Sequence, residues 1–116
     1  MLDENKPLIK HLQVPNWNRH QHYNKRNPPW IKIYNNLLSD YEFNILPDVT
    51  KCHIQLIWLL ASKTDNKITN NAAWIKMQIH CHEEIDLDAI IAAGFLEPYD
   101  GLQGLKQGRS QNVPRT

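Results

Sequence analysis

Two cysteines, four glycines and no long hydrophobic run mark this 116-residue chain, and between Asn5 and Ser39 it has no carboxylate at all. Each shortage excludes something. Two thiols are too few for a disulfide-built scaffold, and Cys52 and Cys81 read as free. The longest apolar run, "IQLIWLLA" at 54–61, falls far short of the roughly 20 residues that span a bilayer. The opening "MLDENKPLIK" lacks the pattern of a secretory signal. A cytoplasmic protein with no membrane contact is the expectation. No glycine-rich phosphate loop, Gly-x-Ser-x-Gly or metalloprotease motif occurs. "EEIDLD" reads as the acidic first turns of a helix, and Cys81, although flanked by histidines, has nothing to orient it as a nucleophile. Catalysis, a small-molecule substrate and a cofactor are therefore not expected.

What stands in place of the missing carboxylates is positive charge. Residues 5–39 hold Lys6, Lys10, Arg19, Lys25, Arg26 and Lys32, while acidic residues gather later, in "DYE", at Asp48 and in "HEEIDLD". A formal net charge of +1 thus conceals a basic side and an acidic side. The basic side points to a polyanion. The plainer account of any one of these lysines is a solvated surface.

Hydrophobic residues at 41% and charged residues at 22% describe a packed protein, and the length suits one domain. Residues 1–98 read as that domain and 99–116, rich in Gly, Gln, Ser and Arg, as a flexible tail. Prolines and asparagines over 7–29 forbid a long helix, so "LIKHLQV" and "RHQHYNK" read as short extended pieces. Trp30, Ile33, Tyr34, Leu37 and Leu38 recur at helical spacing and predict a first helix over 30–38, with Trp30 directed into the core behind Pro28 and Pro29. Tyr41, Phe43, Ile45 and Leu46 are expected to pack beneath the domain. A buried second helix should follow, capped by Asp48 or Thr50 and running to Lys63. After the turn "KTDNKIT", Thr69 or Asn70 should cap a third helix with Ala72, Ile75 and Ile79 inward. A fourth helix from about Asp86 should end at Gly94 in a left-handed cap, and "FLEPY" reads as a strand.

This order predicts an α+β domain of winged helix-turn-helix type, mainly helical, with short strands in the N-terminal segment and the wing. The stretches "NWNRHQHYNKRNPPWIKIYNNLLSDYEF", "HIQLIWLLASKTDNKITNNAAWI" and "IIAAGFLE" resemble the winged-helix N-terminal region of phage and prophage DNA-replication proteins of the replisome-organiser, origin-binding kind. The most specific part is carried by Gln21, Tyr23, Arg26, Pro28, Trp30, Ile31 and Lys32. The resemblance implies DNA binding at a phage origin inside a bacterial host, together with a replication-protein partner.

From the residues themselves, Lys25, Arg26, Lys32 and Lys67 are candidate phosphate contacts. Asn70, Asn71, Lys76 and Gln78 stand at or near the start of the third helix, where amides can read base edges of duplex DNA. The plainer reading of Asn70 and Asn71 is as caps, and Arg26 can equally pair with Asp40 or Glu42. Cys52, His53, Cys81 and His82 are metal-binding types, but "KCH" and "HCHEE" lack zinc-knuckle spacing, so no metal is expected. The competing class is a protein-interaction module, a homodimer or a helicase-loader partner, anchored by the aromatics of 17–34.

Overall fold

The computed structural model describes residues 9–17 and 29–100; the segments 1–8, 18–28 and 101–116 lie outside it. The architecture is α+β. Strand β1 (His11–Gln13) comes first, then a 3-10 helix over Asn35–Ser39, α1 (Tyr41–Asn44) and the long α2 (Asp48–Lys63). Strand β2 (Ile68–Thr69), α3 (Ala72–Gln78), α4 (Leu87–Ala92) and β3 (Glu97–Pro98) complete it. The strands form one antiparallel sheet in the order β2-β1-β3, with β1 central. No helix among the described residues is long and apolar enough to cross a membrane.

Alternation decides which face of the sheet is buried. Leu12 on β1 and Ile68 on β2 are opposed in the ladder and both face the core, where they meet Ile54, Ile57 and Ala61 of α2, Ile75 of α3 and Ile90 of α4. Phe43, Trp58 and Phe95 form an aromatic cluster beside them, with Phe43 and Phe95 edge to face at 5.8 Å. Complete burial of each aliphatic side chain is worth about 1.5–3 kcal/mol, so α2, with seven buried residues, holds the domain together.

Three helices end in the same way. In α2 the Asn66 N–H donates to Ala61 O (2.8 Å), in α3 the Cys81 N–H donates to Lys76 O (3.2 Å), and in α4 the Phe95 N–H donates to Ile90 O (3.1 Å). These six-to-one bonds need left-handed backbone at the turn, supplied by Asp65 and Asn66 (φ 55° and 58°), His80 (φ 58°) and Gly94 (φ 89°). The expected glycine cap at residue 94 is there, and Asp86 caps α4 by accepting from the Ala89 N–H.

Other expectations are corrected. Residues 30–34 are not helical, and only Asn35–Ser39 form a 3-10 helix. Trp30 is 47% exposed instead of entering the core. The β-branched Ile31 and Ile33 behind Pro29 disfavour a helical start, and no side chain caps the 3-10 helix at Tyr34. Asp40 instead starts a new turn by accepting from the Phe43 N–H at 3.0 Å. Phe43 is buried and Leu46 packs on the core, whereas Tyr41 and Ile45 point outward. Helix α2 has the predicted extent, but Pro47 precedes it and neither Asp48 nor Thr50 is its cap. Asn71, not Thr69 or Asn70, caps α3. Strand β2 had no signal of its own. The extended piece "RHQHYNK" and residues 101–116 of the expected tail fall outside the described residues, whereas its first two, Tyr99 and Asp100, are tied to β1 through N–H groups that donate to His11 O and Gln13 Oε1.

One side chain ties these parts together. Asn66 accepts from the Val14 N–H through Oδ1 (2.7 Å) and donates through Nδ2 to Val14 O (3.1 Å). Its carboxamide continues the β1–β2 ladder after the backbone has turned away. Removing it by Asn66→Ala strands two buried backbone groups, each worth about 1–3 kcal/mol. The expected loss in urea unfolding is about 2–4 kcal/mol, and Asn66→Gly, which relieves the φ constraint, should still lose most of it. A loss below about 1 kcal/mol in both variants would mean that water replaces the carboxamide.

His53, on α2, is 1% exposed and its Nδ1 has no hydrogen-bond partner. Burial lowers its pKa from the ordinary 6.5, and the nearby Glu83 carboxylate opposes that only in part. The unfolded chain therefore takes up the proton first. Stability should be intact above pH 6.5 and should fall as the pH drops below it, by at most about 1.4 kcal/mol per pH unit. Melting temperatures between pH 7.5 and 5 should decline less steeply in His53→Leu than in the parent; equal slopes would remove His53 as the cause.

Candidate nucleic-acid interface

The site grows from the corner where β2 gives way to α3. β2 pairs with β1 so that Thr69 lies opposite His11, and the chain then turns through Asn70 and Asn71 into the helix. Asn70 is fastened twice to the residues just before β1: its N–H donates to Lys10 O (3.0 Å) and its Nδ2 donates to Ile9 O (2.9 Å). Asn71 accepts from the Trp74 N–H through Oδ1 at 2.8 Å, the geometry of a helix cap. Both amides hold the corner together. Each does so with one atom of its carboxamide, and both residues are exposed.

On the outward face of the sheet the register sets Lys67, Gln13 and Glu97 in one row and Thr69, His11 and Tyr99 in the next. Lys67 reaches across, with Nζ 5.4 Å from the centroid of the Tyr99 ring, and His11 meets that ring edge-on at 6.5 Å. Gln13 is fully buried beneath this layer, donating to Glu97 Oε2 (2.6 Å) and accepting from the Asp100 N–H (3.3 Å). An exposed ammonium at a fixed position therefore stands beside the corner. Lys10, also exposed, precedes β1 and lies against Asn70. Lys10 belongs to the basic stretch of the sequence, but nothing in its local pattern placed it at this corner; the pairing of β1 with β2 sets it beside Asn70, three residues along the ladder from Lys67.

The remaining predicted residues do not converge there. Lys76, half-buried on α3, is paired with Glu84 at 2.7 Å. Gln78 is exposed at the last turn of α3, and Lys32 is half-buried ahead of the 3-10 helix. Lys25 and Arg26 lie outside the described residues.

Charge is unevenly spread. The described residues carry six lysines against ten carboxylates, and the other seven cations belong to segments 1–8, 18–28 and 101–116. Glu83, Glu84, Asp86 and Asp88 occupy the approach to α4 and its first turn, and α4 itself has no cation. Its face would repel phosphate. The metal-binding types fare differently from the cations: among the described residues no group of three or more His, Cys, Asp and Glu is arranged to hold a metal ion. The Cys81 thiol is pushed up in pKa by burial first and by the neighbouring Cys52 second, which keeps it protonated.

Comparison of the chain with protein families, with characterised proteins and with solved structures found no match.

Proposed function

We propose that this protein is a non-catalytic DNA-binding module of winged helix-turn-helix type, serving origin recognition or replisome organisation in phage or prophage replication. The observation that carries the reading is the β2–α3 corner, where Asn70 and Asn71 fix a helix start beside the exposed Lys10, with the exposed Lys67 at the other end of β2. Support also comes from the succession α2, β2, α3, α4, β3, in which a buried helix is followed by a short one with an exposed face. The resemblance of residues 16–97 to phage replication proteins supplies the biological setting. In this reading Lys10 and Lys67 contact phosphate, together with Lys25 and Arg26 from the basic stretch. Asn70 and Asn71 position the corner, and Gln78 with Lys76 are the side chains nearest to base edges.

Phosphate contact dominates such an interface, so affinity should be strongly salt-dependent and only modestly selective. A second reading, the interaction module with a homodimer or replication-protein partner, draws on the exposed apolar residues between Trp30 and Val49.

Fluorescence anisotropy against random duplex and single-stranded oligonucleotides across a salt series separates the two. Binding to DNA should weaken steeply from 50 to 200 mM salt, and Lys10→Ala with Lys67→Ala should reduce the slope of log K against log salt by about 2. Lys25→Ala with Arg26→Ala should weaken all duplexes alike, and Gln78→Ala should alter only discrimination between sites. Asn71→Ala should cost about 1 kcal/mol of stability instead, through the lost cap. No binding at low salt would overturn the DNA reading.

A further inference from the structure

The segment between β1 and α2 presents apolar side chains that the core does not use. Leu38 is 85% exposed, Tyr41 71% and Ile45 56%. Tyr41 and Ile45 are four residues apart, at the start of α1 and at its C-cap, and so share a side of that turn. The opposite side is already committed, since Phe43 is in the core and Leu37 and Leu46 pack against it. This short element is apolar on both sides.

The backbone beneath the stripe is ordered by its own bonds. Asp40 accepts from the Phe43 N–H, and Asn44 Nδ2 donates both to Leu37 O (2.9 Å) and to Asp40 O (2.8 Å). Such a stripe is presented ready-made, which spares a binding partner the entropy of ordering it. Leu38 and Tyr41 in this setting have the character of interface anchors.

We infer that this stripe docks an amphipathic helix from another protein, apolar along one face and bordered by lysine or arginine. Charge selects the occupant. From Ile33 to Thr50 the chain has three carboxylates and no cation, and Glu42 and Asp48 stand exposed at the border. Lys32 and Lys51 bound this stretch, Lys51 is drawn to Asp48 at 3.5 Å, and the third carboxylate, Asp40, is buried, so Glu42 and Asp48 set the border's charge. A second copy offering the same face would set these carboxylates against their own kind, whereas a cationic border complements them. Among its described residues none after β1 lies in a strand, so an added β-strand has no ladder to join there, and side-chain packing of an amphipathic helix suits an apolar stripe. The inference does not depend on DNA binding.

Two synthetic 18-residue helical peptides test it, both with one leucine stripe, the remaining positions being lysine in one and glutamate in the other. Titrated by anisotropy against the full chain at physiological salt, the Leu/Lys peptide should bind and the Leu/Glu peptide should not. Leu38→Ser with Tyr41→Ser and Ile45→Ser should weaken binding at least tenfold while leaving the thermal melt and the affinity for duplex DNA unchanged. Glu42→Lys with Asp48→Lys should reverse the preference between the peptides. No binding of the Leu/Lys peptide, binding indifferent to the serine substitutions, or preference unchanged by charge reversal would each overturn the inference. So would a dimer in sedimentation equilibrium that the serine substitutions dissolve, which would assign the face to a second copy.

Discussion

The fold depends on a carboxamide doing the work of a peptide group. At Asn66 the backbone is left-handed, as the end of α2 requires, and so cannot continue a strand toward Val14. The side chain supplies the missing donor and acceptor. Asparagine is suited to both demands at once, because it tolerates the left-handed region and carries an amide of peptide-like geometry. Through that contact the exit of α2 sets the register of β1 against β2. β1 in turn fixes β3, and the two residues before β1, Ile9 and Lys10, hold Asn70 ahead of α3. A helix end, a sheet and the proposed interface are thus linked through one residue.

What could be read from the sequence, and what could not, divides on how many residues share a signal. The extent of helix α2 was legible, though not its cap, because seven of its residues are buried and their spacing repeats over about three turns. Gly94 and Asp86 were legible because each has a local chemical reason for its place. The 30–38 helix was a false inference of an instructive kind: Trp30, Ile33, Tyr34 and Leu38 have helical spacing, yet all four are exposed. Spacing predicts a helix only when something buries the face, and here nothing in the described structure does. β2 was illegible because two residues cannot display alternation; strand pairing with β1 defines it, and that is tertiary information. The proposed interface was legible in residue type and not in role. Asparagines before a helix can cap, anchor or read bases, and only their hydrogen-bond partners distinguish these uses.

The three helix ends explain why so small a sheet can position so much. Each helix is closed by a six-to-one bond within two or three residues of its last turn, so little slack is left in the connections. His80 pays for this most, since a branched ring side chain in the left-handed region costs roughly 1–2 kcal/mol where glycine would cost little. The turn at His80 leaves Cys81 half-buried and lets Glu84 return to Lys76. The pairing neutralises the one cation on α3, which shifts the weight of any phosphate contact toward Lys10 and Lys67 at the other end of the helix.

Net charge misleads for a chain arranged this way. A value of +1 suggests indifference to a polyanion, yet the described residues are acidic on balance and seven of the thirteen cations fall in segments 1–8, 18–28 and 101–116. At a Debye length of about 8 Å in physiological salt, charges act on their own neighbourhoods and hardly on the far side of the domain. The lysines at the β2–α3 corner and the carboxylates bordering Leu38, Tyr41 and Ile45 can therefore serve ligands of opposite sign without cancelling. Separation of that kind needs a rigid body between the two surfaces. The buried α2 supplies it, with its first turn beside the apolar stripe and its last residues feeding the turn that carries Lys67.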